Sequence, residues 1–193
     1  MMTTTTPPVS LPFTGDPEAD ALLAADPLAL LVGFALDQQV TVQKAFAGPL
    51  ELRRRVGTLD PATIAAMDPE TLQAAFRERP ALHRFPGAMA TRVQELCALV
   101  AREFGGDASR VWTEARDGAD LEARLRALPG IGEMKAKTLV GLLAKRFGVR
   151  PPGWEAVAPS YPTLADIDSA GPLAQYQEQK RAWKASQKAP KGA

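Results

Sequence analysis

Apolar residues along this chain recur every three or four positions and almost nowhere every second one, a spacing that predicts helices and no sheet. The densest stretch, Leu28 to Leu36, is apolar around most of a helical circumference and is therefore expected to be a helix enclosed by protein. Asp26-Pro27 marks its start: the carboxylate can accept from the first free N–H groups, and a proline at the first helical position gives up an N–H that has no partner there. The same pair stands at Asp16-Pro17, Asp60-Pro61 and Asp68-Pro69, predicting three further helix starts. Pro86 opens a longer helix through Val93, Leu96, Val100 and Phe104, closed by Gly105-Gly106. Leu121 and Leu125, with Arg124 and Arg126, form one amphipathic stripe; Met134, Ala136, Leu139, Val140, Leu142 and Leu143 form another. Between them lies Leu128-Pro129-Gly130-Ile131-Gly132, so residues 119–146 are expected to form a helix, a tight hairpin and a helix.

Beyond Phe147-Gly148 the pattern breaks, because Pro151, Pro152, Gly153, Pro159 and Pro162 exclude one continuous helix. Asp166-Ile167-Asp168-Ser169 then precedes a last helix from Pro172 to about Ser186. The expected fold class is all-α, with a disordered arm over 1–14, a single helical domain over 15–186 and a basic tail over 187–193.

Composition narrows the chemistry. A chain of 193 residues with 46% hydrophobic content can close one cooperative core. Its single cysteine, Cys97, excludes a disulfide framework and a four-cysteine iron–sulfur cluster within one chain, and its place beside Val93, Leu96 and Val100 predicts a buried thiol. His83 is the only histidine, so no His/Cys metal site can be assembled around it, and a packing or surface role is expected. No export signal or membrane span is visible, which fits a soluble, reducing compartment. The net charge of +1 is unevenly placed: residues 1–130 hold 13 Lys/Arg against 17 Asp/Glu, and residues 131–193 hold 10 against 5. The basic surplus follows the hairpin, as a single nucleic-acid face on an ordinary surface would require.

In the hairpin itself, Gly130 and Gly132 are expected to supply positive φ and close approach, with Gly132 leaving the first N–H groups of the second helix exposed. Those donors and the helix dipole suit a phosphate oxygen. Lys135 and Lys137 stand in the first turn, where the dipole disfavours cations, so an anion is expected to offset them.

LPGIG followed by the small Ala136 resembles the helix-hairpin-helix of the base-excision DNA glycosylase superfamily (HhH-GPD), in its endonuclease III-like form. Leu36-Asp37-Gln38-Gln39-Val40-Thr41, about ninety residues upstream, is similar to the Gln-containing turn of the same superfamily, and two motifs in order are more specific than either alone. The resemblance implies a two-lobed helical fold that binds double-stranded damaged DNA through Pro129, Gly130, Ile131, Gly132, Lys135 and Lys137. It also implies an alkali cation, sodium or potassium, at the backbone carbonyls of Arg126, Leu128 and Ile131. Gln39 matches the glutamine that fills the gap left by an extruded nucleotide; the alternative is that Gln38 or Gln39 satisfies backbone groups at a helix end.

The family's nucleophilic lysine, two residues after the final glycine of the hairpin, is Met134 here, which implies water as nucleophile and no lyase activity. Met134 is either a core residue or one that contacts a base. The family's Val-Asp-Thr-His aspartate has no counterpart, and by spacing the nearest carboxylates are Glu155 and then Asp166, with Asp168 beside it. Each has an alternative as a loop charge or a helix cap. Asp37 departs from the small residue often found there, and its charge near DNA would need a partner. Trp154 either stacks on a base or anchors the proline-rich loop. The function expected is monofunctional DNA N-glycosylase in base excision repair, monomeric, cytoplasmic and nucleoid-associated, with no cofactor. The alternative is a non-catalytic member that binds damaged or distorted DNA.

Overall fold

The computed structural model describes residues 6–168 and 170–188. Its elements are α1 (Pro17–Ala25), α2 (Pro27–Leu36), α3 (Val42–Val56), α4 (Pro61–Ala66), α5 (Pro69–Arg77), α6 (Pro86–Glu103), α7 (Arg110–Thr113), α8 (Gly118–Arg126), α9 (Glu133–Arg146), α10 (Trp154–Val157), a 3-10 turn (Leu164–Asp166) and α11 (Ala170–Lys188). No strand occurs among the described residues, so the chain is all-α. No single described helix is long and apolar enough to cross a membrane.

All four Asp-Pro pairs begin helices as their chemistry demands. Asp16 and Asp26 accept from the N–H groups of Glu18 at 2.9 Å and Leu28 at 2.8 Å. Asp60 and Asp68 each accept from both the N–H and the hydroxyl of a threonine, Thr63 and Thr71, and these bonds hold both carboxyls below their ordinary range. Between α1 and α2 the chain bends by 114°, which turns α2 inward. Every residue of α2 from Leu28 to Leu36 is buried.

The crossing of α2 with α3 is notched on both sides. A Cβ on Gly33 would lie 2.5 Å from Phe46 Cδ1, and a Cβ on Gly48 would lie 2.5 Å from Leu36 Cδ1. Each helix therefore removes a side chain where the other inserts a large one. The sequence pattern gave no prediction for α3, because Pro49 sits inside it and deletes the N–H that would bond Ala45. The helix is closed by Gly57 at φ +82°, whose N–H donates to Arg53 O. Arg55, from its last turn, donates to the carbonyls of Ala75, Glu78 and Pro80 at 2.7, 2.8 and 2.8 Å, satisfying the end of α5. Both α4 and α5 rest on α6, whose Gln94 amide donates to Met67 O at 2.7 Å.

The arm expected to be disordered over 1–14 is corrected in its later part. Leu11 and Phe13 are fully buried, and the Phe13 ring meets Phe46 edge-on at 5.1 Å. Asp20 holds this segment by accepting from the Phe13 and Thr14 N–H groups and from the Thr14 hydroxyl. Two apolar residues among prolines and threonines carry no helical period, so the pattern alone hid them; residues 1–5 lie outside the described residues. At the other end α11 starts before Pro172 and runs to Lys188, and the remainder of the expected tail, 189–193, lies outside the described residues. Cys97 is buried among the α6 apolar face, and burial pushes its thiol up to about 12.

Candidate nucleic-acid interface and cavity

The hairpin forms at Leu128–Ile131, where the Ile131 N–H donates to Leu128 O at 3.1 Å. Pro129 and Gly130 occupy its two central positions, and Gly130 has φ +86°, the left-handed conformation that a turn of this kind requires of its third residue. Space forbids a side chain there as well, since a Cβ would lie 2.7 Å from Arg92 Cδ on α6 and 3.0 Å from Ala35 Cβ on α2. The close approach that Gly130 permits is thus to the protein's own central helix. Gly132 differs: its φ is −81°, correcting the expectation of positive φ, and a Cβ on it would meet nothing within 4 Å. Leu128 and Ile131 are buried core residues, so their side chains brace the turn from inside, while the start of α9 has no side-chain cap.

The Gln-containing turn lies against the same hairpin. After Leu36, the Asp37 N–H bonds Phe34 O at 3.2 Å and the Gln38 N–H bonds Leu36 O at 2.7 Å. Gln39 follows at φ +56°, a left-handed conformation uncommon for a residue with a Cβ, and it is exposed. His83, buried at 1% exposure, braces the turn. Its Nδ1 accepts from the Phe85 N–H at 3.0 Å, which leaves Nε2 to donate to Leu36 O at 3.1 Å and Gln38 O at 2.9 Å. The imidazole is neutral in that arrangement, and burial moves it below its ordinary value. Arg92 donates to Gln38 Oε1 at 2.6 Å. Of the two glutamines, Gln38 is therefore engaged within the fold, and Gln39 stands out from it.

The lysines of α9 find their counter-charges within the chain. Lys137 pairs with Glu133 one turn back at 2.6 Å. Lys135 donates to Gly130 O at 3.1 Å; burial lowers its affinity for a proton, and the carboxylate of Asp37 acts in the opposite sense. Lys135 also places an ammonium on a hairpin carbonyl between those of Leu128 and Ile131, and the Leu128 carbonyl is in use by the turn.

A cavity of about 300 Å³ opens where these parts meet. Asp37 comes to it from the Gln-containing turn, Met134 and Lys135 from the first turn of α9, Tyr161 from the loop before the 3-10 turn, and Tyr176 and Trp183 from α11. Tyr161 and Trp183 stack at 5.5 Å with 15° between their planes, and the Tyr161 hydroxyl reaches Met134 Sδ at 3.6 Å. Burial and then the nearby Asp37 charge push the Tyr176 hydroxyl up to about 12. Met134 is exposed on this wall, which resolves its two readings against the core. The volume suits one flat ring system with aromatic walls and a few charged groups to orient it.

Neither carboxylate chosen by spacing lines this cavity. Glu155 is exposed on α10, which packs against α8 and α9. Asp166 closes the 3-10 turn by accepting from the Thr163 N–H at 2.9 Å, and it pairs with Lys145 at 2.5 Å. It borders a second depression of about 390 Å³ that shares Tyr161, Thr163 and Tyr176 with the first. Trp154 is half-buried against the core, with its backbone pressed on Gly118, and anchors its loop. The wall residues that spacing missed are Tyr161, Tyr176 and Trp183; the seven-residue interval between the last two, with Lys180 between them, was the available signal that they share one helix face. Comparison with protein-family models, curated proteins and solved structures finds no match to this chain.

Proposed function

We propose that this protein binds double-stranded DNA, draws a damaged nucleotide into the cavity beside Met134, and releases its base as a monofunctional N-glycosylase of the two-lobed HhH-GPD type. The observation that carries the reading is the meeting of three sequence-distant parts at one opening: the uncapped start of α9, the exposed Gln39 turn, and the aromatic cavity. An uncapped helix start suits a phosphate. A glutamine on a braced turn suits the space left in a duplex, and an aromatic-walled pocket suits an extruded base. With a thioether at Met134, no imine can form, so water is the attacking group and the strand is left intact. No resident cofactor or iron–sulfur cluster is part of this proposal, and one copy acting on chromosomal DNA suffices for it.

The position of Glu155 and Asp166 away from the cavity favours the second reading, a non-catalytic protein that recognises distorted DNA. The two are separated by incubating the protein with duplexes that carry one uracil, hypoxanthine, oxidised guanine or alkylated purine, and measuring free base. Base release with no strand cut and no borohydride-trapped adduct is the expected result. Tight, salt-dependent binding with no base released from any duplex supports the second reading, and the absence of salt-dependent binding overturns both.

A further inference from the structure

The cavity wall contains one carboxylate among the described residues, and it is neither of those reached by spacing. Asp37 stands directly after the central helix, with its own N–H fixed to Phe34 O. Its backbone is pinned on both flanks, because His83 Nε2 donates to Leu36 O before it and to Gln38 O after it. Such bracing of a single residue by a buried side chain is what a working group needs and what a solvated loop charge does not have. Lys135 and Tyr176 share its surroundings, and both feel its charge. The rest of the lining is mainly aromatic and apolar, with Thr138, Thr163, Gln179 and Lys180 as its polar members, so a developing positive charge inside would feel a carboxylate more strongly than in water.

From this arrangement, and resting on the glycosylase reading above, we infer that Asp37 is the catalytic carboxylate. The bond from C1′ of the deoxyribose to the base nitrogen breaks, and its electron pair leaves with the base. The sugar carries the positive charge, opposed by the Asp37 carboxylate. A water oxygen then bonds to C1′, its proton passes to Asp37, and that proton is returned through solvent to the departed base. One water is consumed and nothing is oxidised or reduced.

The test is single-turnover base release by the full chain on whichever damaged duplex the parent cleaves, across a pH series. Asp37→Asn and Asp37→Ser are expected to slow release by about 100-fold or more, with duplex affinity unchanged or slightly tighter because an anion near phosphate is gone. The parent rate should fall as acid protonates the carboxylate, and that fall should vanish in Asp37→Asn, whereas Asp37→Glu should restore part of both rate and pH dependence. Glu155→Gln and Asp166→Asn should release base within about threefold of the parent, a change too small to represent lost catalysis. If a folded Asp37→Asn or Asp37→Ser variant stays within about threefold of the parent, or if Glu155→Gln loses activity in its place, the inference falls while the glycosylase reading stands. A parent that releases no base from any duplex removes both.

Discussion

The side of the cavity formed by α2 and α9 is held by backbone, whereas the side formed by α11 is held by side chains. On the first, Gly130 lies against Ala35 with no room for a methyl group, and His83 ties the carbonyls of Leu36 and Gln38 into one fixed turn. On the second, α11 is seated through Leu173 and Tyr176, a Gln177 to Gln43 amide bond at 3.1 Å, and the stack of Trp183 on Tyr161. Most of its remaining described side chains face solvent. A wall of backbone cannot be retuned without loss of the fold, while a wall whose outer aromatic, Trp183, is exposed can change its preferences there at little cost in stability. In the proposed function this division places the reaction on the first wall and the choice of base on the second.

The strongest challenge to that contrast comes from the two hairpin glycines. Gly130→Ala combines a left-handed φ with a methyl group driven into α2 and α6, and is expected to destabilise the protein by about 2–4 kcal/mol. Gly132→Ala, at ordinary φ and in open space, should cost under about 1 kcal/mol, the difference between glycine and alanine at a helix start. Urea melts of both variants check this, and equal losses would mean that the hairpin is not pressed on the central helix as described.

His83 tests the same wall with a smaller effect. His83→Ala removes the imidazole donor from the Gln38 carbonyl, leaves the Leu36 carbonyl with the Gln38 N–H alone, and should cost about 1–2 kcal/mol. The parent's stability should also depend on pH in a direction set by burial. The folded imidazole binds a proton less readily than the ordinary value of 6.5, so below that pH the unfolded chain takes up more protons. Stability is therefore full above that value and is lost as pH falls through the lower folded one. Thermal melts between neutral and mildly acid pH should show this slope in the parent and a shallower one in His83→Ala; parallel curves would contradict the brace.

The smallest effect on the fold belongs to the other wall. Trp183 is 45% exposed, and Trp183→Ala should alter stability by no more than about 0.5 kcal/mol. Its effect should fall on the ligand, with about tenfold weaker retention of a damaged duplex, the order of one lost stacking contact. A fluorescence titration measures it. Equal affinity for damaged and intact duplexes in both proteins would remove α11 from the choice of base.

What could be read from sequence was what is decided within a few residues. A carboxylate followed by proline settles its own helix start, and all four such pairs, Asp16, Asp26, Asp60 and Asp68, do so. The hairpin and the enclosed helix were legible for the same local reasons. The cavity was not, because it is assembled from parts far apart in the chain. Asp37 gains its setting only when α9 packs beside it, and nothing near residue 37 announces Lys135 or Tyr176. Counting forward from the hairpin led to Glu155 because a count assumes that the chain after α9 continues in a regular way, whereas the short α10 folds back on α8 and α9. Leu11 and Phe13 were overlooked because burial there comes from α1 and α3, not from any repeat in their own segment.

The notched crossing of α2 and α3 sets how this chain can diverge. Any larger residue at position 33 demands a smaller one at 46, and any larger residue at 48 demands a smaller one at 36, so the two helices can change only as matched pairs. Leu36 is also the last residue of α2, and Asp37 follows it directly. A mutation at Gly48, on a helix that contributes no wall to the cavity, would push Leu36 aside and carry Asp37 with it. Inheritance of the proposed site thus reaches to a glycine that does not line the cavity.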